Sequence, residues 1–366
     1  MNRNIYLSLL WITFSMDREK LGRRRLLRLS GASMATGLAA SSAGCVGSLG
    51  AGGGGASEQF SDSIYSTNSS FATMTFLLAQ QQNIYGDHDI DMEVEVTNFT
   101  EASRSIAADL TQINFTDLPS VSRGLSEGNE FYLLDRWVNL NNAIITRSDS
   151  DVEAVPDLEG KTLGVPFWGS GTTTSLGAMC KELYDFDIEN DPAETVSSAP
   201  PVLWNLLADG EIDAMGQFLA FTLQAMGRDD LQEVFNPFEE WNRATDYPPS
   251  NGVVVADKSW VDENPEFALR WLEAYDESIA YHQNNSDEAL SQYGRLIGLS
   301  EDDGTLDAAS QLFDDGRVYA DEWTADYVDS QHELMELLVD YDDELDHVPD
   351  REDRVLLRED LEALAE

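Results

Sequence analysis

The sequence predicts an α/β protein of two lobes, each an open, mostly parallel sheet flanked by helices, with a helical C-terminal portion. Three observations predict it. Short apolar runs alternate with helical stretches from Ser61 to Met226, the pattern of strands joined by crossover helices. Two breaks, the polar Arg147–Asp151 and Tyr247-Pro248-Pro249, divide that alternation. At 366 residues the chain exceeds one typical domain, and its 42% apolar content is enough to bury a core.

The elements follow in order. Ile64–Thr67 reads as a strand, Phe71–Gln82 as a helix, and Met92–Val96 alternates with period two as a half-buried strand. Ala102–Leu110 reads as a helix, Gln112–Phe115 as a strand, and Asp117 as the N-cap of a further helix. Phe131–Leu134 and Ala143–Ile145 are strands. Beyond the first break come strand Thr162–Val165, helix Thr172–Leu183, strand Thr195–Ser197, helix Pro201–Ala208, strand Ile212–Met215 and helix Leu219–Met226. Gly252–Ala256 is a strand, and everything after Pro265 reads as helical, ending in Arg351–Leu364. The resulting division is a leader over 1–44, a tether over 45–60, a first lobe over 61–146 and a second over 147–246. Residues 247–366 return to the first lobe and add the C-terminal helices. Open sheets of this kind bind ligands beyond the carboxyl ends of their strands, so two facing lobes predict a cleft that hinges shut.

The leader carries its own signals. Gly22–Arg28 holds Arg23, Arg24 and Arg25 and resembles a twin-arginine export signal; a small-residue apolar stretch, Leu29–Ala40, follows and is short for a membrane span. Ser42-Ala43-Gly44-Cys45 resembles a lipobox, which makes Cys45 the expected lipidation site. Met16, a few polar residues ahead of the arginines, is the expected translation start. Gly50–Ser57 is a glycine-rich tether. These signals imply a protein held by a lipid at the outer face of the cell membrane.

Charge excludes some partners. Asp and Glu number 68 against 22 Lys and Arg, a net charge of −46, and lysine occurs only at positions 20, 161, 181 and 258. Such a surface repels nucleic acid and anionic headgroups. Acidic enrichment with lysine depletion is the composition of extreme halophiles, in which molar salt screens the repulsion. With Cys45 taken by lipid, Cys180 has no disulfide partner and reads as a buried structural thiol. Of four sequons, at Asn68, Asn98, Asn114 and Asn284, only Asn284 suits a glycan, since the others fall at strand ends.

The strongest internal motif is Asp157–Pro166 followed by Phe167-Trp168-Gly169-Ser170-Gly171-Thr172-Thr173. A strand ends, a glycine-rich turn follows and a helix starts, so unpaired N–H groups and the helix dipole face the crevice; a plain capped helix is the equal alternative. The Asp157-Leu158-Glu159-Gly160-Lys161-Thr162-Leu163-Gly164-Val165 block with its Gly-Ser-Gly-Thr turn resembles the nitrate, sulfonate, taurine and thiamine-precursor class of solute-binding proteins. Leu207–Ala214 and Val261–Glu266 resemble the same class, and the likeness runs from Ser61 to Asn284.

The resemblance implies a type II periplasmic-binding fold without chemistry or cofactor of its own. The implied partners are a small-molecule solute and an ABC permease with its cytoplasmic ATPase, and a monomer is expected. The implied cleft positions are Asn68, Ser69, Ser70, Thr100, Thr116, Asp117, Arg136, Trp137, Trp168, Gly169, Ser170, Gly171, Thr172, Gly216, Gln217 and Phe218. Arg136 is the expected cleft cation, with a surface ion pair as its alternative, and Trp137 and Trp168 either wall the ligand or belong to lobe cores. The ligand stays open between a small anion and a pyrimidine or thiamine precursor. A rival enzyme reading has little to stand on. His88, His282, His332 and His347 flank no nucleophile signature, His332-Glu333-Leu334-Met335-Glu336 lacks a second zinc histidine, and no Gly-x-Ser-x-Gly occurs. A structural surface lipoprotein is the third reading.

Overall fold

The computed structural model describes residues 61–66, 70–96, 112–301 and 304–366. The chain divides into two units, Met1–Ala56 and Ser57–Glu366, and every described residue belongs to the second. The export signal, Cys45, the tether, Asn68, Ser69, Asn98, Thr100 and the helix expected over 102–110 lie outside the described residues.

Strands β1 (Ser61–Ser66) and β2 (Asp91–Val96) pair in parallel. Helix Phe71–Gln82 lies between them in sequence, with Ser70 Oγ accepting from Ala72 N at 3.1 Å as its cap. A second group contains β3 (Ile113–Asp117), β4 (Phe131–Arg136) and β10 (Gly252–Asp257), with β10 central and antiparallel to both neighbours. The other lobe is a five-stranded sheet of β5 (Ala143–Arg147), β6 (Thr162–Val165), β7 (Glu194–Ser197), β8 (Ala214–Gln217) and β9 (Leu231–Phe235), in the order β7-β6-β8-β5-β9. Its β6 runs parallel to β7 and β8, whereas β5 is antiparallel to β8 and β9.

The two-lobed α/β architecture is the predicted one, with sheets that are mixed. The two strands that run against their neighbours, β5 and β10, are the first strands after each passage between lobes. A strand arriving from the opposite lobe enters at the cleft edge and runs away from it, so it opposes strands that end there.

The passages lie side by side. Leu140 N donates to Pro249 O at 2.8 Å and Asn251 N to Val138 O at 2.9 Å, while Asn139 N donates to Val318 O at 2.8 Å. The outward passage is therefore 137–142, ahead of the polar Arg147–Asp151 stretch read as the connector, and β5 belongs to the second lobe. The return, 247–251, falls at the proline break.

Other departures have local causes. The β9 strand and helix Pro237–Thr245 were not anticipated, because β9 is only partly buried and carries Gln232 and Glu233 within it. The terminal helix breaks into Arg351–Arg354 and Arg358–Ala365, since Val355 bridges Leu133 and Leu356 N donates to Leu133 O at 3.0 Å. Strand β8 starts at Ala214, two residues after Ile212, because Asp213 N is taken by Thr162 O.

Apolar packing places the cleft walls. Phe76, Phe115, Trp271 and Tyr275 form an aromatic cluster in the first lobe, with Trp271 and Tyr275 stacked at 5.3 Å. Trp137 lies at its edge, 5.8 Å from Phe115. Helix Ala325–Tyr341 packs against both Leu118–Ser126 of the first lobe and Gly171–Tyr184 of the second. Cys180 is fully buried, and burial pushes its thiol pKa far up, as suits an inert core residue. Asn114 is buried within β3, while Asn284 is exposed at the end of helix Pro265–Asn284.

Candidate functional site

A cavity of about 420 Å³ lies between the two lobes, a size suited to a small molecule. Ser70, Asp117, Pro119, Ser120 and Arg123 line it from the first lobe. Gly169, Ser170, Gly171, Thr172, Ser175, Phe218 and Leu219 line it from the second. The passages supply Trp137, Val138, Asn139, Asn141, Asn142 and Asn251.

The second-lobe wall is the strand-to-helix turn after β6. Gly169 takes a φ of 74°, a left-handed conformation natural to glycine, and Ser170 begins the following helix. Its hydroxyls are bound internally. Ser170 Oγ accepts from Thr173 N at 3.3 Å and donates to Thr173 Oγ1 at 3.0 Å, and Thr173 Oγ1 donates to Pro166 O at 3.0 Å. Ser170 is thus a helix cap at the cavity wall, the local alternative weighed for this motif.

Facing it is Asp117, at the end of β3. One carboxylate oxygen accepts from Ser120 N at 2.8 Å, capping helix Leu118–Ser126. The same carboxylate lies against the second helix start: a methyl group on Gly171 would stand 3.2 Å from Asp117 Cγ and Oδ1. Asp117 therefore places negative charge at two positive helix ends. Burial raises its pKa, against the opposing pull of Ser120 and Arg123. Arg123 Nη2 donates to Gly169 O at 2.9 Å across the cleft and lies 4.0 Å from Asp342, which also accepts from Thr174 Oγ1 at 2.9 Å. Asn142 Nδ2 donates to Thr172 Oγ1 at 3.2 Å. The lobes are thus bonded across the cavity by Arg123, and Asn142 ties the passage to the second-lobe wall.

Several expected positions lie elsewhere. Arg136 is not a cleft cation. It is buried, donating to Ala320 O at 2.9 Å, to Asp135 at 2.7 Å and to Asp276 at 3.0 Å. Arg358 bonds the same two carboxylates, which closes a square of two arginines and two aspartates. A charge at the end of a strand that cannot reach water needs such partners. Trp168 is 46% exposed and lies off the cavity wall, because the Gly169 turn swings the residues before it outward. Thr116 is not on the wall, being held in the ladder opposite Val253. Gly216 and Gln217 lie inside β8, where Gly216 packs under Leu176 and Gln217 Nε2 donates to Pro200 O at 3.1 Å. Ser70, Asp117, Trp137, Gly169 to Thr172 and Phe218 do line the cavity.

Sequence reasoning missed Arg123 and the asparagines. Three asparagines within Asn139–Asn142 were the available signal, since polar residues between two apolar strands need a polar purpose. Asn139 and Asn141 are 2% and 3% exposed. Their Nδ2 groups donate to Arg317 O, at 3.3 and 2.7 Å, while neither Oδ1 has a partner, and Trp137 Nε1 is likewise unpaired. Among the described residues no cluster of His, Cys, Asp or Glu is arranged to hold a metal ion.

Solved structures share this architecture at low identity. The alkanesulfonate-binding protein SsuA from Xanthomonas axonopodis pv. citri, bound to MOPS, matches with a TM-score of 0.60 and 12% identity over 81% of this chain and 98% of that one. The ligand-binding component of an ABC-type import system from Staphylococcus aureus, with zinc bound, matches at 0.60 and 13% over 83% and 99%. The desulfurization enzyme DSZB matches at 0.56 and 16% over 83% and 99%. At such identity these likenesses establish the fold and leave activity open. No curated protein sequence gives a significant match. The family model described as "NMT1/THI5 like" matches residues 70–289, more than half of the chain and nearly the span over which the sequence blocks pointed to solute-binding proteins. The chain belongs to the NMT1/THI5-like family.

Proposed function

We propose that the chain is the extracytoplasmic solute-binding subunit of an ABC importer, closing by hinge motion on one small molecule and presenting it to a permease with its cytoplasmic ATPase. The observation that carries this reading is the cavity, which takes its wall from both lobes and from the two adjacent passages. A site divided in this way is completed only when the lobes meet, so a ligand binding the closed arrangement shifts the population toward it. The two passages, bonded to each other, are the natural hinge. Among the described residues of the wall no nucleophile is hydrogen-bonded to a histidine, which fits binding without chemistry. A monomer exported by the arginine signal and anchored through lipidated Cys45 completes the proposal; release of a Cys45→Ser variant from the membrane fraction is the test of the anchor.

The test of function is a thermal-shift screen of the full chain against small solutes in molar KCl. A true ligand stabilises by about 2.7 kcal/mol at a hundredfold excess over its Kd. Mass spectrometry should then recover the solute unchanged. Steady consumption of the solute would make the chain an enzyme on this scaffold, and a cleft that binds no solute would favour a structural lipoprotein.

A further inference from the structure

We propose that the cavity takes a small nitrogen base, an amine or amidine-type cation whose N–H groups meet the Asp117 carboxylate and the unpaired side-chain oxygens of Asn139 and Asn141, and that it rejects oxyanions. This rests on the binding-protein reading and names the ligand class of that same site.

The first ground is that a carboxylate already stands beside the place for an anion. A helix start facing a cleft is where an oxyanion would be held. Here Asp117 stands against that start, with its carboxylate 3.2 Å from where a Gly171 side chain would begin. An oxyanion entering this position would meet a fixed negative charge at short range inside a low-dielectric cavity.

The second ground is independent. Asn139 and Asn141 line the cavity and are 2% and 3% exposed. Their amide N–H groups donate to the Arg317 carbonyl, which fixes which end of each amide is oxygen. The two Oδ1 atoms then have no partner. Buried acceptors left unmade are costly. The ligand that completes them must bring donors.

The third ground is the state of Arg123, the one cation among the described residues of the wall. Arg123 donates to Gly169 O and lies 4.0 Å from Asp342, so its guanidinium is already engaged by protein acceptors. The Glu344 carboxylate adds further negative charge near the Gly169 turn, 3.7 Å from where a Gly169 side chain would begin. Trp137 Nε1, unpaired, accommodates a single acceptor atom on the same ligand.

Calorimetry on the full chain in molar KCl tests this with two probe sets: acetamidine, benzamidine and agmatine on one side, and ethanesulfonate, nitrate and sulfate on the other. At least one nitrogen base should bind and no oxyanion should. Asp117→Asn keeps a side chain that caps helix Leu118–Ser126 but loses the charge, and should weaken that base by about tenfold or more, the loss of a charge-assisted hydrogen bond. Asn141→Leu should weaken it too, which keeps the test decisive if Asp117→Asn fails to fold. Binding of any oxyanion, failure of every nitrogen base, or a base whose affinity neither variant changes would overturn the assignment. An oxyanion ligand recovered intact would leave the solute-binding function standing, whereas chemical conversion of a probe would overturn that function as well.

Discussion

Single residues in this chain show how burial decides the role of a charge. Arg136 was expected to face a ligand, because an arginine at the end of a strand is well placed to do so. Whether it does depends on the carboxylates nearby, and Asp276 and Arg358, far away in sequence, close around it with Asp135. His282 is the uncharged counterpart. It is fully buried with Nδ1 2.7 Å from Thr75 Oγ1, packed against Phe313 and Tyr319, and burial lowers its pKa to about 3. The unfolded chain binds this proton with a pKa near 6.5. The stability contributed by neutral His282 is therefore present above that value and is lost as the pH falls from there toward 3. Between pH 7 and pH 5 this amounts to about 2 kcal/mol for one proton. Denaturant titration at both values should show that loss in the wild type, beyond whatever loss His282→Gln shows. Equal losses in both proteins would mean that His282 is not the group titrating.

At the scale of elements, legibility followed locality. Helices Phe71–Gln82 and Leu219–Met226 have the predicted bounds, because a cap or turn residue and an apolar run define them within their own segments. Asp117 was readable as an N-cap for the same reason. The lobe to which β5 belongs was not, since Ala143–Ile145 is apolar enough for either sheet and its partner strand, β8, lies seventy residues downstream. The cavity divides along the same line. Its strand-to-helix turns announce themselves through Gly, Ser and Thr, whereas Arg123 reaches the cavity only because its helix crosses toward Gly169 of the other lobe. Gly216 and Gln217 were placed at the cavity because strand β8 was read as ending at Met215; it continues to Gln217 and keeps both in the sheet. The Ser170 cap makes an element-scale prediction. Ser170→Ala removes the acceptor for Thr173 N and should cost about 0.5–2 kcal/mol of stability, measured by denaturant unfolding. Because its hydroxyl already donates to Thr173 Oγ1, ligand affinity should change little. A large loss of affinity at unchanged stability would reassign that hydroxyl to the ligand.

For the whole molecule, the net charge and the contact between the lobes matter most. From Cys45 onward the sequence carries 15 basic against 66 acidic residues, and the basic residues are largely consumed in pairs such as Arg351–Asp329, Arg354–Glu130 and Lys161–Asp151. The remaining carboxylates repel one another, and that repulsion is screened over about 3 Å in molar salt but over about 30 Å in dilute buffer. The melting temperature should rise steeply from dilute buffer to molar KCl; an unchanged value would contradict the halophile reading. Gly171 of one lobe lies against Asp117 of the other, and this contact carries the central claim. Calorimetry of Gly171→Val against the solute identified by screening tests it most directly. The branched side chain would hold the lobes apart at the cavity wall while leaving both cores intact, so binding should be abolished with the far-UV dichroism unchanged. Wild-type affinity in Gly171→Val would contradict the account, because the ligand would then lie somewhere other than between the lobes.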